Sequence, residues 1–149
     1  MRKASIDRRR RETDISLTLD LDGNGTPEIT TGVGFFDHML ELLTVHSGVD
    51  LTLSCKGDLQ VDAHHTVEDV GIALGSCVRQ ALGDKKGIAR FADRLVPMDE
   101  TAAQVAVDFS GRPALIFPDR LTGKVGSFDM ELVEEFLRAF TTHAGCNVY

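Results

Sequence analysis

The 149-residue sequence lacks tryptophan, has one tyrosine and contains only three cysteines. Cys55, Cys77 and Cys146 are odd in number and are too far apart for the C-x-x-C pairs of a zinc knuckle. No apolar run reaches the length that a bilayer-spanning helix needs, and the arginine-rich residues after Met1 do not resemble a signal peptide. We therefore expect a cytoplasmic protein with reduced cysteines and no membrane partner.

Positive charge is also scarce. The 16 basic and 23 acidic residues give a formal net charge of -7, which argues against a general nucleic-acid-binding protein. An anionic ligand would have to be held by local basic groups. Residues 8–11, all arginine, could form a phosphate-binding arm, although four basic residues before a strand are more typical of a solvated edge. The length fits a single domain, 1–149.

Apolar periodicity predicts an α+β fold. Alternation over residues 15–21, turn residues at 22–25 and a returning strand at 27–31 predict a hairpin. Helical spacing over 35–45, with Gly48 as the C-terminal cap, predicts a helix, and a strand should follow over residues 49–55. A longer helix should begin near His64 and end at Gly83.

The second half of the chain repeats this pattern. Residues 105–109 and 114–117 predict two strands joined by a turn, and residues 129–140 predict a helix. The segments LLTVHSGVDL (42–51) and AFTTHAGCNV (139–148) both contain a helix end, Thr-x-His, a small residue, Gly and a strand. This match indicates an internal duplication.

We interpret the duplicated unit as β-β-α-β-α, with mixed sheets packed against helices. The first repeat covers about 8–90, and the second, incomplete repeat covers about 91–149. The chain ends six residues after His143, so the second repeat has no counterpart of the helix that begins near His64.

The segment DAHHTVED, residues 62–69, concentrates metal-binding chemistry. Glu68 follows His64 by four residues and His65 by three, so a helix would project all three side chains to one side. Imidazole and carboxylate suit Mn, Fe, Co or Zn, and two adjacent histidines about 100° apart could serve two ions. The order differs from the protease motifs H-E-x-x-H and H-x-x-E-H.

The alternative for this segment is a helix N-terminus without a metal, with Asp62 as cap and Glu68 facing the helix dipole. Two histidines with a spaced carboxylate favour metal binding over that alternative. His38 and His46 lie eight residues apart on the predicted helix over 35–45 and its end, less than a right angle apart around the axis. Either could join the cluster.

Four segments together resemble the imidazoleglycerol-phosphate dehydratase family of histidine biosynthesis: GVGFFDHML (32–40), DAHHTVEDVGIALG (62–75), PMDET (97–101) and DFSGRP (108–113). The resemblance spans about residues 8–148. It implies a duplicated α+β fold and a hollow homo-oligomer of 24 subunits with active sites between neighbours. It also implies two manganese ions per site.

The resemblance assigns roles by position. It implies that the metal ligands are His38, His64, His65, Glu68 and His143. It implies that the substrate contacts are Glu12, His46, Arg90 and Arg112, with Glu12 reaching a neighbour's site, and that Glu68 and Asp99 are catalytic. The structural alternatives are a solvated turn for Arg112, a cap for Arg90, a turn for Asp99, an edge-strand charge for Glu12 and a helix-dipole contact for His143.

The implied reaction is dehydration of imidazole glycerol phosphate to imidazole acetol phosphate. No carbonyl acidifies the C–H bond that breaks. Our hypothesis is that two ions bind the ring as imidazolate, that ring electrons expel the hydroxyl, and that a carboxylate then removes the proton. That carboxylate is Glu68 or the glutamate of a second H-H-x-x-E motif.

Family members continue beyond the strand at Cys146 with that second motif and a tail containing serine and lysine, which this sequence lacks. We therefore expect a truncated chain. One alternative to the enzyme is a non-catalytic metal-binding or assembly module. A metal-dependent hydrolase is the other, and it has no nucleophile motif here.

Overall fold

The computed structural model describes residues 1–117 and 120–149. The elements of the first half are β1 (Lys3–Arg9), β2 (Thr13–Asp20), β3 (Pro27–Thr30), α1 (Gly34–Ser47), β4 (Asp50–Gly57) and α2 (His64–Leu82). Those of the second half are β5 (Phe91–Met98), β6 (Thr101–Asp108), β7 (Ala114–Leu115), β8 (Lys124–Val125), β9 (Phe128–Asp129), α3 (Leu132–Ala144) and β10 (Asn147–Val148).

The strands form two four-stranded sheets with the same internal order. The first sheet runs β1-β2-β4-β3 and the second runs β5-β6-β10-β7, while β8 and β9 pair separately. In the first sheet β4 and β3 are parallel, and in the second sheet β10 and β7 are parallel. All other neighbouring strands in these two sheets are antiparallel. The mixed α+β fold and its internal duplication are therefore confirmed, but the first unit contains one strand more than predicted and the second contains three more. The domain and repeat bounds stay predictions.

The predicted hairpin between residues 15–21 and 27–31 is wrong. β3 pairs in parallel with β4, which separates β3 from β2, and the hairpin partner of β2 is β1. The connecting loop crosses the end of β4 because the Asp50 carboxylate accepts the backbone N–H groups of Asn24 and Thr26, each at 2.9 Å. The turn residues therefore belong to a crossover, which period-two patterning cannot distinguish from a hairpin.

The second half contains the same error. The strand predicted at 114–117 does not return beside 105–109, because β7 pairs with β10 and β10 lies between β7 and β6. Four strands were not predicted: β1, β5, β8 and β9. β1 and β5 are each an edge strand of a four-stranded sheet, and β8 and β9 pair with each other. The helix predicted over 129–140 lies at 132–144.

α1 and α2 end where the sequence predicted, whereas α3 extends four residues beyond its predicted end at Phe140. α1 and α3 both end at a glycine with left-handed φ, 75° at Gly48 and 67° at Gly145. The long helix begins at His64 and ends before Gly83. No helix in the described part of the chain is long and apolar enough to cross a membrane.

The core lies between the first sheet and α2, and α3 packs along α2. Its centre is formed by Ile15, Leu17, Leu19, Leu51, Leu53, Val67 and Val70. Two glycines on α2 allow the helices to approach closely. A Cβ on Gly71 would lie 2.8 Å from the Phe136 carbonyl oxygen, and one on Gly75 would lie 2.5 Å from that of Phe140.

The three cysteines are free and buried, as expected. Burial raises the pKa of each thiol to about 11. These thiols are therefore protonated near neutral pH, a state that suits neither a nucleophile nor a metal ligand.

Candidate metal site

The first turn of α2 carries the histidine pair. The Asp62 carboxylate accepts the backbone N–H of His64 at 2.8 Å, so Asp62 satisfies one of the free donors of the helix N-terminus. One turn later, Glu68 Oε2 lies 3.8 Å from His64 Nε2. The predicted i, i+4 proximity is therefore present, and capping by Asp62 is compatible with it.

His65 is tethered from outside the helix. Its Nδ1 atom lies 2.9 Å from Asp58 Oδ2, just beyond the end of β4. An ionised carboxylate can only accept, so Nδ1 carries the proton and the neutral ring keeps its lone pair on Nε2. The hydrogen bond to Asp58 is the main cause that raises the pKa of His65, and the charges of Glu12 and Asp62 also contribute. Glu12 itself lies in the turn between β1 and β2.

A buried polar contact anchors this turn to the first sheet. The Asp69 carboxylate accepts from Arg8 Nη2 at 2.7 Å and from the Thr13 hydroxyl. Asp69 and Thr13 are buried and Arg8 is largely so. Since Asp69 follows Glu68 directly, this contact fixes where the ligand-bearing turn sits on β1 and β2.

Glu68 and His143 line one cavity of about 180 Å³ between α2 and α3. They occupy different levels along it. A Cβ on Gly75 would lie 3.2 Å from the His143 Cβ, whereas Glu68 precedes Gly75 by seven residues, about 10 Å along the helix axis. The His143 Nδ1 atom is 2.8 Å from the Ala139 carbonyl oxygen, to which it donates, so its Nε2 is also free.

The other two histidines lie on α1, and both are exposed. Across residues 1–117 and 120–149, no three His, Cys, Asp or Glu side chains converge on one point. The donor types fit a borderline divalent ion, and two rings present a free Nε2. The predicted ligands therefore lie apart from one another within the described part of one chain.

The two arginines predicted to contact phosphate both influence Asp108. Arg90 binds Asp108 through two hydrogen bonds, of 2.6 and 3.0 Å. The pKa of Asp108 is lowered, first by Arg90 and also by the charges of Arg112 and Lys85. Lys85 Nζ donates to the Phe109 carbonyl oxygen at 3.1 Å. These three basic groups form a cluster around Asp108, which we call the basic cluster.

Asp99 lies far from the basic cluster. It forms the turn between β5 and β6 with a left-handed φ of 50°, as expected of a turn residue. Arg90 adjoins the opposite end of the same hairpin, seven residue pairs or about 23 Å away.

Three of these residues were not predicted from the sequence. Asp58 and Lys85 lie in loops without any periodic signal. Asp69 carried a weak signal, because it is a charged residue between Val67 and Val70 on the apolar face of α2.

Two halves with one strand order, joined through a helix that begins with H-H-x-x-E, define a duplicated α+β protein with a candidate metal site. The family model described as imidazoleglycerol-phosphate dehydratase matches residues 31–149. The chain belongs to the imidazoleglycerol-phosphate dehydratase family.

Individual relatives agree. The imidazoleglycerol-phosphate dehydratase of Methylorubrum extorquens is 57% identical over 150 aligned residues, which cover 100% of this chain and 77% of the relative. That of Oceanobacillus iheyensis is 57% identical over 145 residues, covering 97% of this chain and 75% of the relative. The crystal structure of the Staphylococcus aureus enzyme superposes with a TM-score of 0.86 at 41% identity, covering 98% of this chain and 81% of that chain.

Proposed function

We propose that this chain dehydrates imidazole glycerol phosphate to imidazole acetol phosphate in histidine biosynthesis, as a metal-dependent lyase. Family membership supports the reaction. The observation that carries the proposal is the first turn of α2, where the His64 ring and the Glu68 carboxylate lie 3.8 Å apart beside a His65 ring with a free Nε2.

The proposed cofactor is Mn²⁺, with two ions per site. Such an ion supplies Lewis-acid polarisation of the bound imidazole ring and of the leaving hydroxyl. The proposed ligands are His38, His64, His65, Glu68 and His143. Glu68 is also a candidate base for the proton on the carbon next to the one that loses the hydroxyl, and Asp99 stays a candidate catalytic partner.

The basic cluster is the proposed phosphate-binding site. It combines three basic side chains, whereas the chain as a whole has a net charge of -7. Arg90 and Arg112 can present paired donors to phosphate oxygens, and Lys85 adds a third charge. Arg90 would exchange its contact with Asp108 for the substrate. Glu12 and His46 are proposed to contact the rest of the substrate.

We further propose that complete sites form between copies of the chain. Within one protomer Glu68 and His143 line the same cavity at different levels along α2, and His38 lies on a different helix. Assembly would bring such separated ligands together, and the family resemblance suggests 24 copies. Three buried free thiols suit the reducing cytoplasm, where we place the activity.

The test is a His65→Ala variant of this chain, assayed for Mn²⁺ uptake and for dehydration of imidazole glycerol phosphate. We expect loss of both, because the ring supplies a ligand that alanine cannot replace. Gln60→Ala, at an exposed position in the loop that precedes α2, is the matched control and should retain both.

Near-normal turnover in His65→Ala would reject the proposed site. Tight Mn²⁺ binding by the unmodified chain without dehydration would reject the enzymatic function and support a metal-binding module.

A further inference from the structure

We propose that Asp58 is a positioning residue, which keeps the proton of the His65 ring on Nδ1 and leaves Nε2 free for a divalent ion. The inference rests on the proposed function, in which His65 is a metal ligand. It starts from one contact, the 2.9 Å hydrogen bond between His65 Nδ1 and Asp58 Oδ2.

Close packing places Asp58 beside His65. Asp58 follows Gly57, the last residue of β4, and a Cβ on Gly57 would lie 1.9 Å from the Thr66 hydroxyl oxygen. Only glycine fits there. Thr66 is fully buried next to His65, so the end of β4 and the first turn of α2 are held together and the carboxylate cannot drift from the ring.

The other anchors of this turn act on different groups. Asp62 binds the backbone N–H of His64, and Asp69 joins the helix to Arg8 and Thr13. These contacts fix the position of the backbone. Among the anchors described here, Asp58 alone contacts a proposed ligand ring, so it alone can select the tautomer.

Asp58 is poorly placed for a purely stabilising role. Its second oxygen, Oδ1, is buried and has no hydrogen-bond partner within the described residues. A buried acceptor without a partner costs stability, and a single hydrogen bond to a half-exposed ring recovers little of that cost. Fixing a ligand ring gives this arrangement a function, because carboxylates bound to the far nitrogen of metal-binding histidines orient the ring and raise its basicity.

The first experiment needs neither metal nor substrate. Long-range ¹H–¹⁵N correlation spectra of the metal-free protein, in alkaline buffer where the rings are neutral, report which nitrogen of His65 is protonated. We expect the Nδ1–H tautomer in the unmodified chain and in Asp58→Asn, whose amide oxygen still accepts. In Asp58→Ala we expect a shift toward the Nε2–H tautomer. Asp62→Ala removes a backbone contact and a nearby charge but no contact with the His65 ring, so it should leave the tautomer of His65 unchanged.

The second experiment measures Mn²⁺ affinity by calorimetry on the same variants. Asp58→Ala should bind about 10- to 100-fold more weakly, which is the usual effect of losing such a partner. Asp58→Asn should lose less, and Asp62→Ala should stay close to the unmodified chain.

An Nε2–H tautomer in the unmodified chain would overturn the inference without any variant. An unchanged tautomer and affinity in folded Asp58→Ala would also overturn it. If Asp58→Ala does not fold, the unmodified chain and Asp58→Asn still decide the result. The tautomer is independent of catalysis, so an inactive chain with the expected spectra would reject the proposed reaction and leave the role of Asp58 intact.

Discussion

The two halves have matching strand registers but very different surroundings. Leu19 of β2 lies opposite Leu51 of β4, and Val107 of β6 lies opposite Val148 of β10. In the first sheet α2 covers this face, and β2 alternates between buried and exposed residues. In the second sheet all eight residues of β5 and the first five of β6 are exposed.

The helices show the same difference. The repeated segments align Leu42 and Leu43 of α1 with Ala139 and Phe140 of α3. Ala139 packs against α2 and is 8% exposed, whereas Leu42 and Leu43 are 37% and 47% exposed. α2 therefore has two tasks in the first half, since it closes the hydrophobic core and carries the proposed metal ligands. If the proposed ligands bind metal, stability and metal binding are coupled through this one helix.

The largest expected difference between the halves concerns Leu17 and Val105, which occupy matching positions in β2 and β6. Leu17 is 1% exposed and Val105 is 43% exposed. Leu17→Ala should lower the free energy of unfolding by about 2–5 kcal/mol, because it leaves a cavity under α2. Val105→Ala should cost less than about 1 kcal/mol, since no cavity forms at a solvent-exposed position. Urea denaturation of both variants measures the difference.

Similar losses in the two variants would mean that the second sheet is covered in solution, for example by a second copy of the chain. Dilution would separate these cases, because coverage by another copy depends on protein concentration.

A smaller effect is expected at the contact between α2 and α3. Gly75→Ala would place a methyl group 2.5 Å from a backbone oxygen of α3, and overpacking of this kind costs about 1–3 kcal/mol. Gly34→Ala is the control at the start of α1. No atom lies within 4 Å of its added Cβ, so stability should be unchanged or rise by up to about 1 kcal/mol. Thermal unfolding measures both, and equal destabilisation would contradict the close helix contact.

The sequence predicted the elements better than their pairing. α1, α2 and their glycine ends followed from apolar spacing, because the period of a helix is set locally. β3 was assigned to the wrong partner because its position depends on Asp50, 20 residues after Thr30 in the chain. β5 was missed because its residues face solvent on both sides, so burial imposes no alternation that could be recognised.

The residues of the candidate site also fall into two groups, those that local spacing predicts and those that depend on tertiary packing. His64, His65 and Glu68 could be found from spacing, since one helical turn brings them together. Asp58 could not, because its contact with His65 depends on the packing of β4 against α2 through Gly57 and Thr66. The basic cluster likewise joins Lys85, Arg90 and Arg112 through tertiary structure alone.

The smallest expected effect tests a pair of matching positions, Asp50 and Asn147. Each is the first residue of its strand, β4 or β10. Its side chain forms hydrogen bonds that fix the neighbouring loop, which leads into β3 or β7. Asp50 accepts the N–H groups of Asn24 and Thr26, whereas the Asn147 side chain bonds Ser110 and Arg112. Of these two side chains, only the Asp50 carboxylate can be protonated by lowering the pH.

The hydrogen bonds from Asn24 and Thr26 lower the pKa of Asp50 below its ordinary value of 3.8. A lowered pKa in the folded state stabilises the protein above the unfolded pKa, and this stabilisation is lost as the pH falls through the folded pKa. The difference in melting temperature between the unmodified chain and Asp50→Asn should therefore shrink as the pH drops below 3.8. The difference for Asn147→Ala should stay constant over that range, because an amide does not titrate. If the melting-temperature difference for Asp50→Asn also stayed constant, protonated Asp50 would hold its loop as well as the ionised form does. The loop contacts of the two halves would then not differ in their pH dependence.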